Sequence, residues 1–189
     1  MSVSQLRNIY QLKISLTGSK PAIWRRVLVV SDSSLKDLHL TIQIAMGWSN
    51  CHLHQFISNG IFYGIKDDDF DFGMEIEDEN DYKLNQLLKS EKDFIQYEYD
   101  FGDGWIHKVI LEKILPFNIE NKLPLCIKGK RACPPEDCGG IWGYEELLET
   151  INDSDHPEHD SMLEWLGDPF DSEALDIDNI NKQLLEYIR

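Results

Sequence analysis

Three histidines occupy positions from which two β-hairpins would direct them to one face of a sheet. His52 and His54 are two residues apart, so a strand points both side chains the same way, and His107 lies in a later strand. Imidazole is a common ligand for zinc and related metals, and it titrates nearest to neutral pH. The pattern predicts a divalent metal site, for zinc or manganese, or a proton-transfer site. The alternative is that each imidazole bonds a backbone carbonyl or a tyrosine hydroxyl at the edge of the core.

Two carboxylates, Asp100 and Asp103, flank the turn before His107, and together with Asp137 of a later loop they could join the histidines. Carboxylates combined with imidazole can bind magnesium or manganese, and such a site supports metal-dependent hydrolysis, including that of phosphodiesters. Asp100 or Asp103 would then serve as a ligand or as the base. The alternative is turn chemistry, in which an aspartate beside glycine accepts hydrogen bonds from nearby backbone amides.

A second metal site could form from the cysteines of one loop, Cys126, Cys133 and Cys138. Their spacing is wider than the Cys-x2-Cys pairs of most structural zinc sites, and no fourth ligand is adjacent in sequence. Residues elsewhere in the chain could supply it, namely Cys51, His156 or His159. The alternative is a loop of small buried thiols.

Hydrophobic periodicity predicts the elements that must position these residues. Alternation predicts strands over 9–16 and 22–30, and the Ser34-Leu-Lys-Asp37 capping box predicts a helix that ends at Gly47. Residues 116–140 show no regular pattern and are predicted to be irregular. Later helices are predicted near 83–89, 144–151, 157–166 and 179–188, the last with Asp178 as its N-cap.

Two hairpins carry the histidines. Asn59-Gly60 predicts a two-residue turn that sets Phe56 opposite Tyr63. For the second hairpin, a three-residue loop at 102–104 sets Tyr99 opposite His107 and Glu98 opposite Lys108. A two-residue loop would instead pair Asp100 with His107. The three-residue loop is favoured because it keeps the apolar side chains on one face.

The charge is concentrated in the last third of the chain. The protein has 189 residues and a net charge of −16, and residues 132–189 contain two basic and 16 acidic residues. This disfavours nonspecific nucleic-acid binding and favours a protein partner with a basic surface. The acidic run 67–81 is predicted to be solvated, and Phe72 excludes a calcium loop because that position requires glycine. With no membrane segment or signal peptide in the sequence, we expect a cytoplasmic protein.

Several motifs together resemble the Ri-plasmid open-reading-frame-three-like family. They are Ala45-Met-Gly-Trp48, His52-Leu-His54, Tyr99-Asp-Phe-Gly-Asp-Gly-Trp-Ile-His107, Arg131-Ala-Cys-Pro-Pro-Glu-Asp-Cys-Gly-Gly140 and Trp165-Leu-Gly167. The resemblance covers about residues 9–185. It implies a link to mobile elements, because relatives occur as insertion-element passengers with a resolvase-like (TnpR-like) label, but it implies no established activity. The shared motifs map onto His52, His54, Asp100, Asp103, Trp105, His107, Cys133, Glu136, Asp137 and Cys138.

Strands followed by late helices predict an α+β fold, a single domain over 1–189 with a mostly antiparallel sheet covered by helices. The leading functional hypothesis is an acidic interaction or regulatory module that binds a basic partner. The alternative hypothesis is a metal-dependent hydrolase that uses the histidines as ligands and Asp100 or Asp103 in catalysis. A further hypothesis is a second metal site in the cysteine loop described above.

Overall fold

The computed structural model describes residues 7–66, 75–118, 120 and 122–187. The strands are β1 (Asn8–Leu16), β2 (Trp24–Val30), β3 (His54–Ser58), β4 (Ile61–Gly64), β5 (Ile76–Asp78), β6 (Phe94–Tyr99), β7 (Trp105–Pro116) and β8 (Leu125–Lys130). The helices are α1 (Leu35–Met46), α2 (Leu84–Leu87), α3 (Gly140–Asn152), α4 (His159–Leu166) and α5 (Ile177–Tyr187). None of the helices in the described ranges is long and apolar enough to cross a bilayer.

All eight strands form one sheet in the order β5-β4-β3-β6-β7-β1-β2-β8. Its pairings are antiparallel except that of β4 with β5, so the predicted α+β class with a mostly antiparallel sheet is confirmed. The β6–β7 hairpin lies in the middle, where it joins the earlier β1–β2 and β3–β4 pairs. The single domain over 1–189 stays a prediction.

Helix α1 begins and ends where its sequence predicts. The Ser34 hydroxyl accepts from the Asp37 N–H at 3.1 Å, and the Asp37 carboxylate accepts from the Ser34 N–H at 3.0 Å, which completes the capping box. Gly47 ends the helix with a φ of 97°, a conformation that glycine adopts without strain. The apolar face of α1 is fully buried in the same core as the sheet, through Leu35, Leu38, Ile42 and Ala45.

The first hairpin has the predicted register, with Phe56 opposite Tyr63. In the second, both predicted registers are wrong, because Tyr97 lies opposite His107 and Tyr99 opposite Trp105. The loop has five residues, since Asp100 takes a φ of 57° and leaves the strand. A shift of two residues preserves the face of every side chain.

The five-residue loop is held by Asp100 itself. Its carbonyl accepts from the Gly104 N–H at 2.6 Å, and its carboxylate accepts from the Gly102 N–H at 3.0 Å. Phe101 therefore leaves the sheet and becomes half exposed, and Gln96 rather than Glu98 lies opposite Lys108.

Two further expectations are wrong. Residues 116–140 contain an edge strand, β8, because their backbone pairs with β2 although the sequence has little alternation. Helix α5 is preceded by Asp176, whose carboxylate accepts from the Asn179 N–H at 2.9 Å, so Asp178 is not the N-cap. Of the acidic run, 67–74 lies outside the described residues, and the remainder contains β5 and a buried Glu79.

A close backbone approach fixes the turn at 100–104 against the loop that leads into α3. The Asp103 carboxylate accepts from the Gly139 N–H at 3.1 Å. A Cβ on Gly140 would lie closer than 3.0 Å to the Asp103 carbonyl oxygen, and Gly140 has a φ of 70°. Only glycine fits at this contact.

We predict that Gly140→Ala destabilises the protein much more than Gly104→Ala. Both positions have a similar positive φ, 70° and 67°, but a Cβ on Gly104 has no atom within 4 Å. Gly104→Ala should cost about 1–2 kcal/mol in backbone strain. Gly140→Ala should cost more, because the loop must also move away from Asp103. Urea unfolding measures the free energy of unfolding of both variants. Equal losses of stability would contradict the close approach of Gly140 to Asp103.

Candidate functional site

Three segments meet at one end of strands β3 and β6. The turn after α1 contributes Cys51 and His52, the β6–β7 loop contributes Asp100, and the loop after β8 contributes Glu136 and Asp137. We call these five residues the His52 cluster. Two subsets have ligand atoms that all lie within 4.8 Å of one another, and they are the only such groups of histidine, cysteine and acidic residues in the part of the chain that the structure describes.

His52 is the shared member of both subsets. Its Nε2 lies 3.3 Å from Asp137 Oδ1 and 3.7 Å from Asp100 Oδ2. This nitrogen is shielded from solvent, yet it has no well-aligned hydrogen-bond partner. The side chain of Asp100 is 11% exposed and that of Asp137 is 68% exposed. The first subset, His52 with Asp100 and Asp137, is therefore open to solvent on the Asp137 side.

Glu136 anchors the second subset, which it forms with Cys51 and His52. Its carboxylate accepts from the Tyr99 hydroxyl at 2.5 Å, from the Ser49 N–H at 3.1 Å and from the Ser49 hydroxyl. The Cys51 thiol lies 3.6 Å from Glu136 Oε1. Burial opposes ionisation, but the hydrogen bonds from Ser49 and Tyr99 hold the pKa of Glu136 below its ordinary value. The carboxylate is therefore charged at neutral pH.

Tyr99 is suited to hold this carboxylate in place. Its ring is buried, stacks on Trp48 with centroids 4.9 Å apart, and meets His52 edge to face. Burial and the hydrogen bond to Glu136 raise the pKa of Tyr99 well above its ordinary value. The phenol therefore stays protonated and donates to Glu136.

His54, although two residues from His52, lies in a different environment. Its Nε2 is 2.8 Å from a Glu79 carboxylate oxygen, and both side chains are 3% exposed. Its ring stacks on that of His39, with centroids 3.4 Å apart and planes inclined by 6°. His39 in turn bonds the Tyr97 hydroxyl and Asn50, each at 2.8 Å. His54 thus belongs to a buried polar network.

His107 is completely buried beneath the sheet. Its Nδ1 lies 3.0 Å from the Trp105 carbonyl oxygen, its Nε2 has no well-formed hydrogen bond, and its ring meets Trp48 edge to face. Burial lowers the pKa of His107 to about 4. Burial, followed by the neighbouring His54, lowers the pKa of His39 to about 3. Both imidazoles are neutral in the folded protein at neutral pH.

The structure therefore brings His52 and Asp100 together but gives His54 and His107 other partners. Asp103 points to the Gly139 backbone rather than to a histidine. Trp105 is fully buried, and its indole N–H has no hydrogen-bond partner.

The cysteines proposed as a second metal site form no ligand group among the described residues. Cys126 is buried, and its thiol contacts the Lys128 carbonyl at 3.8 Å. Burial raises the pKa of Cys133 well above its ordinary value and that of Cys138 to about 12. These thiols are protonated at neutral pH, and Cys51 is the exposed member of the four cysteines.

Sequence reasoning did not assign Cys51, Tyr99 and Glu79 to their present contacts. Cys51 directly precedes His52, which was a usable signal. The other two residues gave none, because Glu79 reaches His54 from 25 positions away and Tyr99 reaches Glu136 from 37 positions away.

Comparison with known proteins identifies the family. Residues 8–179 match the plasmid pRiA4b ORF-3-like protein family. The chain belongs to this family. It is 35% identical over 176 residues to the uncharacterized protein y4hQ of Sinorhizobium fredii, covering 93% of this chain and 90% of that protein.

A solved structure of similar sequence has a similar fold. A crystal structure of MM3350 from Methanosarcina mazei, a protein of unknown function, superimposes with a TM-score of 0.82 at 40% identity, covering 93% of this chain and 98% of that one. The names of both relatives state no activity. The family match confirms the resemblance predicted from the sequence motifs, but it assigns no function. The geometry of the site is therefore the basis for a functional proposal.

We predict that acid destabilises the protein partly through His107 and His39. Their pKa values lie near 4 and 3 when folded but near 6.5 when unfolded, so the unfolded chain takes up more protons below about pH 6.5. The free energy of unfolding should fall as the pH drops from about 6.5 towards 4. In His107→Asn the free energy of unfolding should fall less steeply with decreasing pH than in the native protein, by up to about 1.4 kcal/mol per pH unit. Urea unfolding at several pH values across this range measures the dependence. Identical pH dependences of the native protein and His107→Asn would contradict the prediction.

Proposed function

We propose that the protein binds a divalent metal ion through His52, Asp100 and Asp137 and that it is a metal-dependent hydrolase. One observation carries the proposal. The Nε2 of His52 is shielded from solvent and has no hydrogen bond, yet two carboxylates lie 3.3 and 3.7 Å from it. A metal ion between these three groups would satisfy the nitrogen and both carboxylates at once.

The distances support a shared ion. Ligands about 2.0–2.1 Å from a tetrahedral metal are about 3.3 Å from one another, close to the separations measured around His52. Imidazole with two carboxylates is a ligand set that suits manganese or zinc. In this proposal His54 and His107 are not ligands. His54 Nε2 contacts the Glu79 carboxylate, and His107 is completely buried and belongs to no ligand group among the described residues.

The exposed side of the cluster supports a catalytic role. Three protein ligands leave coordination positions for water and a substrate, and a bound divalent ion makes that water a stronger acid. Asp137 stands at the open side, where it could also accept a proton from the water. The net charge of −16 disfavours long nucleic acids, so a small ester or phosphodiester is the proposed substrate class.

We predict that manganese binds the purified, untagged and chelator-treated protein and that His52→Ala, Asp100→Asn and Asp137→Asn each weaken binding strongly. Removing a residue that only hydrogen-bonds a metal ligand typically lowers metal affinity roughly 10- to 100-fold. The loss of manganese affinity in these three variants should be larger, because each removes a ligand. Isothermal titration calorimetry measures it. Asp103→Asn is the matched control, because Asp103 lies in the same loop but bonds the Gly139 backbone.

Hydrolysis is tested with bis-p-nitrophenyl phosphate and p-nitrophenyl acetate. Turnover should require added manganese and should be lost in His52→Ala but kept in Asp103→Asn. If no metal binds, the proposal is wrong. If metal binds and neither probe is hydrolysed by any loaded form, the hydrolase assignment fails for both ester classes.

A second candidate function is the acidic interaction or regulatory module, supported by the surface of α3. Trp142 is 81% exposed, and it shares the solvent face of this helix with Glu146 and Glu149. Neither glutamate has an ion pair with another described residue. An exposed indole on the same helix face as two carboxylates suits a partner rich in lysine and arginine, which would combine ion pairing with cation–π contact.

This second proposal includes the cellular context. The family description refers to a plasmid reading frame, which supports an association with mobile elements. The four cysteines are unpaired thiols, which suits a reducing, cytoplasmic compartment.

We predict that an amphipathic helical peptide rich in lysine and arginine binds the protein at low salt and is released as salt rises. Trp142→Ala should weaken binding by about tenfold or more, as expected for a central aromatic contact. Trp165→Ala is the control, since Trp165 is also exposed but lies on α4. Fluorescence anisotropy measures the affinity. Equal binding of a glutamate-substituted peptide, or no binding at all, would contradict this candidate.

A further inference from the structure

The His52 cluster contains a second set of ligands that differs in chemistry from the first. The second subset contains a thiol, and its three ligand atoms also lie within 4.8 Å of one another. We infer that Cys51, His52 and Glu136 form an alternative, sulfur-containing position that selects zinc. The inference rests on the proposed function in one respect, the use of His52 as a ligand.

The sulfur–oxygen distance in the second subset matches tetrahedral zinc. Zinc lies about 2.3 Å from sulfur and about 2.0 Å from carboxylate oxygen, so the two atoms should be about 3.5 Å apart in a tetrahedral site. The Cys51 sulfur lies 3.6 Å from Glu136 Oε1. Little movement is therefore needed for both to reach one ion.

Glu136 is already held in place for this role. Tyr99 and Ser49 donate hydrogen bonds to its two oxygens, as the outer partners of a metal-binding carboxylate usually do. Tyr99 is in turn fixed by stacking on Trp48. The carboxylate therefore loses little freedom when an ion binds, and only the exposed thiol has to be deprotonated.

The binding step is balanced without any further reactant. The Cys51 thiol donates its proton towards Glu136. When zinc binds, the sulfur–hydrogen bond breaks, a sulfur–zinc bond forms, and one proton leaves to the buffer. No oxidation or reduction occurs.

The two positions are alternatives, because they share His52. A neutral imidazole has one free lone pair, so it serves one ion at a time. The thiolate of the second position favours zinc, whereas two aspartates in the first position suit manganese. Zinc bound with Cys51 and Glu136 would therefore withdraw His52 from Asp100 and Asp137 and displace manganese.

Cobalt provides the probe, because it replaces zinc and gives a thiolate-to-cobalt charge-transfer band in the near ultraviolet. Chelator-treated full-length protein with added cobalt should show this band. It should be absent in Cys51→Ser and retained in the Asp100→Asn/Asp137→Asn double variant. Cys133→Ser is the matched control and should keep the band. Cys51 is exposed, so circular dichroism should show that Cys51→Ser remains folded.

Competition between zinc and manganese tests whether the two positions exclude each other. One equivalent of zinc should weaken manganese binding at least tenfold in the native protein but much less in Cys51→Ser. The inference is overturned if the band is missing in the native protein, survives in Cys51→Ser, or disappears in the aspartate double variant. It is also overturned if zinc leaves manganese binding unchanged. A cobalt band without manganese binding would instead reject the proposed function and keep this inference.

Discussion

The hydrogen bond from Tyr99 to Glu136 is the contact on which the arrangement of the site depends. It ties the loop after β8 to the end of β6, and the same carboxylate also accepts from Ser49 in the turn after α1. Three segments that are far apart in sequence therefore converge on one ionised group. Because the carboxylate is part-buried, it needs these donors to compensate for lost water, and the donors in turn fix its position.

Two other contacts hold the same loop from its ends. The indole N–H of Trp48 donates to the Pro134 carbonyl at 3.1 Å, and the backbone of Gly140 approaches Asp103 too closely for any side chain. These contacts place Asp137 beside His52, although Asp137 itself is exposed. The geometry of the cluster thus follows from these contacts and from the hydrogen bonds to Glu136 rather than from attraction among the cluster's own charges.

Local patterns predicted the elements well and their partners less well. The capping box at Ser34 and the Asn59-Gly60 turn are complete within a few residues, so the sequence specifies them directly. Alternation fixed which face each strand buries, and the second hairpin kept that face although its register moved by two residues. Periodicity is unchanged by such a shift, and the decisive factor was Asp100 bonding its own loop. Strand β8 was missed because its pairing with β2 leaves little trace in its own sequence.

Local sequence patterns also predicted the partners of the site residues poorly. Alternation predicted that His52 and His54 point the same way, but it contains no information about which groups surround them. Glu79 lies beside His54, whereas Asp137 lies beside His52. Both carboxylates come from distant segments, so only the folded chain separates a buried structural histidine from one in an open cluster.

The order of strands also has a consequence for the growing polypeptide. The hairpin at the centre of the sheet, β6–β7, is the third to be synthesised, and it joins the pairs β1–β2 and β3–β4, which share no strand contact with each other. A nascent chain that ends before Phe94 has two separate ribbons with unpaired inner edges. Such edges are sites where other chains can add a strand. The two ribbons can therefore join into one sheet on the ribosome only when residues 94–116 have been made, and chaperones have most to protect before that point.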